Sequence, residues 1–132
     1  MATSVESELS KKFITSQIKM YGKDLYIEKR MSNLKVGEPD IFILYKGMPL
    51  FAESKVINSI TLINNREFTE IQLYNLEQKA NAGAMCIGLL LHPKEIKYIM
   101  YNKLIPATTK QMFENAEIFN LETLREIWIK TI

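Results

Sequence analysis

Residues 37–56 read GEPDIFILYKGMPLFAESKV, and this stretch decides the fold. Residues 40–45 and 49–56 are two runs rich in apolar and aromatic residues, and Lys46-Gly47 separates them. Two strand-length runs joined by a short glycine-containing turn are typical of an antiparallel β-hairpin. We therefore predict a hairpin here and place the rest of the chain around it.

Three ionisable side chains interrupt this apolar hairpin, those of Asp40, Glu53 and Lys55. Because strand residues two positions apart share a face, Glu53 and Lys55 point the same way. Asp40 opens the opposite strand and can lie beside them. Two carboxylates and an ammonium among apolar neighbours destabilise a fold unless they pair or bind an ion. The pattern therefore indicates a functional site at one end of the sheet.

The chemistry of this candidate site suits a divalent cation. The carboxylates of Asp40 and Glu53 and the backbone carbonyl of Ser54 offer the hard oxygen ligands that Mg²⁺ or Mn²⁺ prefers. Such an ion can activate water and stabilise the charge that develops during phosphodiester hydrolysis. Lys55 would orient or help deprotonate the water, or contact the phosphate. The simpler alternative is that Glu53 and Lys55 form a solvated strand face.

Helices are predicted on both sides of the hairpin. Apolar residues at helical spacing indicate an amphipathic helix over residues 4–20, with Ser4 as its N-cap. A second helix is predicted over residues 68–80, and two short ones follow Thr108-Thr109 and Asn120. The second helix is expected to bury the apolar positions Phe68, Ile71, Tyr74 or Leu76, and Ala80.

Further strands extend the hairpin into a sheet. Residues 25–29 are a short strand candidate, and the apolar run over residues 84–91 suits a central strand covered on both faces. Residues 95–104 are predicted to be its hairpin partner. The predicted fold is α/β, with a central mixed β-sheet flanked by helices, in a single domain of 132 residues.

The order Pro39-Asp40, hairpin, Glu53-x-Lys55 resembles the signature of PD-(D/E)xK nucleases. That superfamily is built as a helix, a strand hairpin, a helix and a returning strand, and the predicted elements follow the same order over about three quarters of the chain. The resemblance implies a restriction-endonuclease-like core. It also implies metal-dependent hydrolysis of DNA, with Asp40, Glu53 and Lys55 as catalytic residues.

Within this superfamily the chain resembles Holliday junction resolvases of the RecU type, including their phage relatives. Residues 62–72 are similar to the approach to a helix that bears an active-site glutamine, which implies a catalytic role for Gln72. Residues 81–91 and 97–100 are similar to the glycine, apolar strand and tyrosine-containing strand of that family.

The N-terminal segment Glu6-Ser-Glu8-Leu9 resembles the Glu-x-Glu-Leu of archaeal resolvases, whose first glutamate joins the metal site. This implies Glu6 as a further metal ligand and catalytic residue, with Glu8 as the alternative. RecU-type proteins also carry a long basic stalk before the catalytic aspartate, whereas only residues 28–39 separate Ile27 from Asp40 here. VRR-NUC nuclease domains, which lack the stalk and share the aspartate, Glu-x-Lys and glutamine pattern, are also similar.

These resemblances imply a Holliday junction resolvase that cuts branched DNA. The alternatives are a structure-selective or nicking endonuclease of the VRR-NUC kind and a catalytically silent nucleic-acid-binding module. Two symmetric cuts need two sites, so we expect a homodimer formed by the first helix or by the tail. The tail has more apolar residues than a short helix needs for its own face: Phe119, Leu121, Leu124, Ile127 and Trp128.

Composition sets the broad class. Hydrophobic residues make up 47% and charged residues 24%, which excludes a largely disordered chain, and the net charge of +2 leaves nucleic acid open as a partner. Charges interrupt residues 1–20 and no apolar run reaches membrane-spanning length, so we expect neither a signal peptide nor a membrane partner. Cys86, the one cysteine, cannot form an internal disulfide. We expect a cytoplasmic protein, encoded by a cell, a phage or another mobile element.

Overall fold

The computed structural model describes residues 5–30, 36–57, 68–104 and 109–132, apart from the side chains of residues 5, 6, 109 and 110. In chain order the helices and strands are α1 (Val5–Tyr21), β1 (Leu25–Lys29), β2 (Ile41–Tyr45), β3 (Met48–Val56), α2 (Glu70–Asn81), β4 (Met85–Leu91), β5 (Ile96–Met100), α3 (Thr109–Asn115), β6 (Glu117–Ile118) and α4 (Leu121–Thr131). These strands form one six-stranded sheet in the order β1-β2-β3-β4-β5-β6. Because β3 and β4 pair in parallel and the other neighbours pair antiparallel, the sheet is mixed, as predicted.

The hairpin of β2 and β3 lies near the middle of this sheet and confirms the sequence prediction. Its register pairs Tyr45 with Met48, which leaves Lys46 and Gly47 as a two-residue turn. Both turn residues have positive φ, 46° and 87°, as required by the type I′ turns that match the twist of paired strands. β1 pairs with the other edge of β2 and has the predicted bounds.

The first helix, α1, also agrees with the prediction, apart from its proposed N-cap Ser4, which lies outside the described residues. Leu9 and Phe13, four positions apart on one face, are buried against the sheet. The rings of Phe13 and Phe119 meet edge-on with their centroids 5.1 Å apart. The helix is thus fixed to both the sheet and the tail.

The prediction for α2 needs correction. The helix begins at Glu70 after an N-cap at Thr69, later than predicted, and two of its expected core residues, Ile71 and Tyr74, are 47% and 59% exposed. Leu76, which was predicted as the alternative to Tyr74, is fully buried. The apolar stripe of α2 is narrower than expected because one side of the helix carries polar residues that face the candidate site.

The end of the predicted strand over residues 95–104 is also wrong. β5 ends at Met100, and Tyr101–Lys103 form a 3₁₀ turn. The two-residue strand β6, which pairs with β5, is absent from the prediction. A strand of this length is too short to show the alternating pattern from which strands are predicted.

Helices pack on both faces of the sheet. α1 and α4 contribute to the core on one face, and α2 and α3 contribute to the core on the other. Between them β4 is buried along its whole length, as predicted for a central strand, and Cys86 belongs to the α2 side. Within the described residues, no helix is both long and apolar enough to cross a bilayer.

The C-terminal helix α4 is attached to the turn of the hairpin. The carboxylate of Glu122 accepts hydrogen bonds from the Tyr45 hydroxyl and, at 3.1 Å, from the Lys46 ammonium. The Nε of Arg125 donates to the backbone carbonyl of Lys46 at 3.0 Å. These contacts fix α4 to the turn between β2 and β3.

The apolar tail packs on the sheet of its own chain. Phe119, Leu121 and Leu124 are buried, and Ile127 and Trp128 pack against the same cluster. The apolar residues of the tail therefore have a partner in the sheet of their own chain, and a dimer contact through the tail stays a prediction.

Candidate active site

Asp40 lies one residue before β2, and its side chain reaches across to β3. Its carboxylate accepts a hydrogen bond from the backbone N–H of Ser54 at 2.9 Å and a second from the Ser54 hydroxyl. Its backbone carbonyl accepts from the N–H of Arg30 at 2.6 Å. The residue is 8% exposed. Asp40 is therefore held at the end of the hairpin, beside the strand that carries Glu53.

Glu53 and Lys55 point from β3 towards α2, as strand alternation predicts. The Nζ of Lys55 lies 3.8 Å from Oε2 of Glu53, and the two side chains are 14% and 10% exposed, respectively. The Lys55 ammonium also lies 5.4 Å from the centre of the Phe68 ring. Because both charges are largely removed from water, the alternative of a solvated strand face is wrong.

Gln72 joins this pair through a capping box at the start of α2. Its backbone N–H donates to the Thr69 hydroxyl at 3.2 Å, and its side-chain Oε1 accepts from the Thr69 backbone N–H at 3.0 Å. This reciprocal pattern fixes the amide plane. The Nε2 group is then turned towards Glu53 and donates to its Oε2 at 3.3 Å. Gln72 thus serves both the helix end and the candidate site.

The electrostatics of Asp40 distinguish it from a surface carboxylate. Burial raises the pKa of Asp40, and hydrogen bonds from Ser54 and the charge of Lys29 offset part of that increase. The Lys29 ammonium donates to the hydroxyl of Ser10 on α1 at 3.3 Å. A raised carboxylate pKa means that the ionised form lacks full compensation for its lost hydration.

Comparison with known proteins bears on the fold. No family model and no curated protein matches the chain. Among solved structures it is similar to Hjc, a Holliday junction resolvase from the archaeal hyperthermophile Archaeoglobus fulgidus, with a TM-score of 0.60 and 14% sequence identity. The match covers 89% of this chain and 98% of that chain. The chain has a restriction-endonuclease-like fold. Identity this low shows the fold alone, and the resemblances to RecU-type proteins and to VRR-NUC domains gain no support from the comparisons.

The two buried carboxylates of this candidate site suit a divalent cation. Mg²⁺ is commonly bound by one or two carboxylates together with waters and phosphate oxygens, and Asp40 and Glu53 supply two carboxylates. The described residues contain no group of three or more acidic, histidine or cysteine side chains that could hold a metal ion, so waters and phosphate oxygens would have to complete the coordination. A cation would also favour the ionised form of a buried carboxylate such as Asp40.

The N-terminal candidates differ in what the structure describes. The backbone of Glu6 lies in the first turn of α1, and its side chain lies outside the described part of the chain. The side chain of Glu8, the alternative, is exposed. The structure therefore brings together Glu53, Lys55 and Gln72. Asp40 is hydrogen-bonded to Ser54, the residue after Glu53 on β3. The role of Glu6 stays a prediction.

Sequence reasoning missed several residues around the site. The capping box formed by Thr69 and Gln72 has a recognisable Thr-x-x-Gln signature, which could have located the start of α2. Lys29 and Ser10 carry no such signal, because their contact depends on how α1 packs against the following strand. Asn75 and Lys79 on α2 contact the loop before Asp40 for the same kind of tertiary reason.

Proposed function

We propose that the protein is a divalent-metal-dependent DNA endonuclease. The observation that carries this proposal is the buried pair of carboxylates, with Asp40 just before β2 and Glu53 on the neighbouring strand β3, where Lys55 and Gln72 contact Glu53. One buried ion pair has a structural explanation. A second buried carboxylate with a raised pKa beside it, as in Asp40, is typical of a functional site.

Each residue has a defined part in this proposal. Asp40, Glu53 and the backbone carbonyl of Ser54 would hold Mg²⁺ or Mn²⁺, which supplies Lewis acidity and an activated water when bound. The Ser54 N–H and hydroxyl orient Asp40, and the Gln72 amide orients Glu53, so both carboxylates are preorganised. Lys55 positions the attacking water or contacts the scissile phosphate. Glu6 is a further candidate ligand.

We propose branched DNA, in particular a four-way junction, as the substrate. The likeness in fold to a Holliday junction resolvase supports this choice. Two symmetric cuts then require a twofold dimer. The exposed side chains of Tyr26 and Leu44, paired in register on β1 and β2, and of Ile71 on α2 suit such a contact better than the tail does.

The dimer can be tested separately from the chemistry. Leu44→Glu should convert a dimer into a monomer in sedimentation at micromolar concentration, because it places a charge in an apolar contact. A variant that stays dimeric would place the contact elsewhere on the molecule. A wild-type protein that is monomeric and cuts linear and four-way DNA equally would refute the resolvase proposal and leave the nuclease chemistry standing.

Cleavage of defined DNA tests the central proposal. Purified protein should cut a four-way junction in Mg²⁺ or Mn²⁺, with linear duplex, flap and single-stranded DNA as comparisons, and should not cut in a chelator. Asp40→Asn should abolish cutting while it preserves folding and DNA binding, because the amide still fits beside Ser54. Asp24→Asn, which changes the chain's other aspartate in an exposed turn, is the matched control.

The alternative from a different class is a catalytically silent nucleic-acid-binding module. Such a protein would bind junction DNA with or without metal and leave it intact. The wild-type protein and the Asp40→Asn variant would then bind junction DNA with the same affinity. Junction binding without metal-dependent strand scission, across all four DNA substrates, would favour that alternative over the endonuclease.

A further inference from the structure

The side of α2 that faces the hairpin and the loop before Asp40 carries polar residues, although the sequence predicted an apolar inner face for this helix. Gln72, Asn75 and Lys79 are spaced by three and four positions and so lie on one face of the helix. Each contacts a segment that carries a candidate site residue. Gln72 reaches Glu53, whereas Asn75 and Lys79 reach the loop that leads to Asp40.

Asn75 contacts the start of that loop. Its Nδ2 donates to the backbone carbonyl of Val36 at 3.4 Å, and the residue is buried. The next residue, Gly37, packs so closely that a Cβ atom there would lie 2.8 Å from Nδ2 of Asn75 and 2.8 Å from Cγ1 of Ile71. The backbone of the loop is therefore pressed against α2.

Lys79 contacts the same loop one helical turn further on. Its ammonium lies 2.8 Å from Oε1 of Glu38, and both side chains are about four-fifths buried. The ammonium also lies 5.3 Å from the centre of the Phe51 ring, and Phe51 precedes Glu53 by two residues on the same face of β3. Lys79 therefore links the loop before Asp40 to the strand that carries Glu53.

We infer that Lys79 is a positioning residue that, with Asn75, holds the Asp40 loop at a fixed distance from Glu53 and thereby sets the affinity of the site for a divalent metal. The inference rests on the proposed function, because it concerns the same carboxylates. Asp40 is held from one side by Ser54, and its loop is held from the other side by α2. Since α2 also holds Glu53 through Gln72, one helix positions both carboxylates.

Variants of the Glu38–Lys79 pair test this inference. Lys79→Met keeps the aliphatic stem over Phe51 and removes the charge, whereas Lys79→Arg keeps the charge. Glu38→Gln breaks the same ion pair from the loop side and leaves α2 intact, so the test does not depend on how Lys79→Met folds. Lys94→Met changes an exposed lysine on the β4–β5 turn and is the matched control.

Two measurements on the intact protein are needed. The first is the affinity for Mn²⁺ without DNA, measured by titration calorimetry or by the electron paramagnetic resonance spectrum of free Mn²⁺. The second is the rate of DNA cleavage as a function of Mn²⁺ concentration. Lys79→Met and Glu38→Gln should each weaken Mn²⁺ binding by roughly tenfold, the lower end of the range for groups that orient metal ligands. Their cleavage rates should recover at saturating Mn²⁺. Lys79→Arg and Lys94→Met should resemble the wild type.

The double variant Glu38→Gln/Lys79→Met decides whether the two residues act as one pair. It should bind Mn²⁺ no more weakly than either single variant. Wild-type affinity in Lys79→Met and Glu38→Gln would overturn the inference, and so would a loss in Lys79→Arg equal to that in Lys79→Met. A wild-type protein that binds no Mn²⁺ would overturn the proposed function and this inference with it.

Discussion

Replacement of Gly37 by alanine tests how tightly the Asp40 loop is packed. Gly37 has a φ of +78°, in the left-handed region that residues with a Cβ rarely adopt. A Cβ at this position would also approach Asn75 and Ile71 to 2.8 Å, closer than real Cβ contacts. Gly37→Ala therefore combines a backbone penalty with a steric one, three residues before Asp40.

The chain offers a control that separates the two penalties. Gly47 in the hairpin turn also has positive φ, +87°, but a Cβ there would meet nothing within 4 Å. Gly47→Ala should therefore lower the free energy of unfolding by the backbone penalty alone, about 1–2 kcal/mol. Gly37→Ala should add the cost of overpacking, about 1–3 kcal/mol, for a total of roughly 2–5 kcal/mol.

Denaturant unfolding and DNA cleavage would be measured on both variants. Gly37→Ala should unfold more easily and should also cleave more slowly at limiting metal, because the clash is relieved by movement of the loop that carries Asp40. Gly47→Ala should cleave like the wild type. Truncation of Ile71 to alanine in the Gly37→Ala background should recover part of the loss. Equal stability and equal cleavage in the two glycine variants would refute the close packing of the loop on α2.

Three further predictions concern single side chains. Lys55→Ala should lower the cleavage rate by roughly 10²-fold or more with DNA binding retained, whereas Lys94→Ala should cleave normally, and a normal rate in Lys55→Ala would remove it from the chemistry. Gln72→Glu keeps the acceptor of the capping box but replaces the amide that donates to Glu53 by a second carboxylate, so repulsion between like charges should lower both the cleavage rate and the melting temperature measured without metal, and a variant that cleaves and melts like the wild type would contradict the contact between Gln72 and Glu53. Hydrogen bonds from Tyr45 and then Lys46 hold the pKa of Glu122 below its ordinary value of 4.5. The contribution of ionised Glu122 to the free energy of unfolding is therefore fully present above pH 4.5 and is lost as the pH falls through the lowered pKa. The difference in unfolding free energy between wild type and Glu122→Gln should therefore shrink below that pH, and a difference independent of pH would show that the charge of Glu122 contributes nothing.

The hairpin and the candidate site were predictable because their signals are local. Lys46-Gly47 and the flanking apolar runs define both strands and their register, and alternation along β3 places Glu53 and Lys55 on one face. The helix α1 and the buried strand β4 were predictable for the same reason, since each is long enough to show its own periodicity.

The orientation of α2 could not be predicted in this way. Helical periodicity gives the spacing of apolar residues but assumes that the surface under a helix is apolar throughout. Here part of that surface is the polar end of the hairpin, so Asn75 and Lys79 face inwards while Ile71 and Tyr74 are exposed. The place of the tail stayed open for a related reason, because nothing local distinguishes packing of Leu121 and Leu124 on the sheet from packing on a second subunit.

The burial of Cys86 has a practical consequence for spectroscopy. It is the one cysteine of the chain, it is 1% exposed, and burial raises its pKa to about 12. Alkylating reagents attack the thiolate, so the native thiol should stay unmodified under conditions that label exposed cysteines. A cysteine introduced by Glu114→Cys on α3 or Thr123→Cys on α4 would then take up a fluorophore or spin label while Cys86 stays unlabelled. Distances between two copies of the protein, or between the protein and a DNA arm, become measurable without removal of the native cysteine.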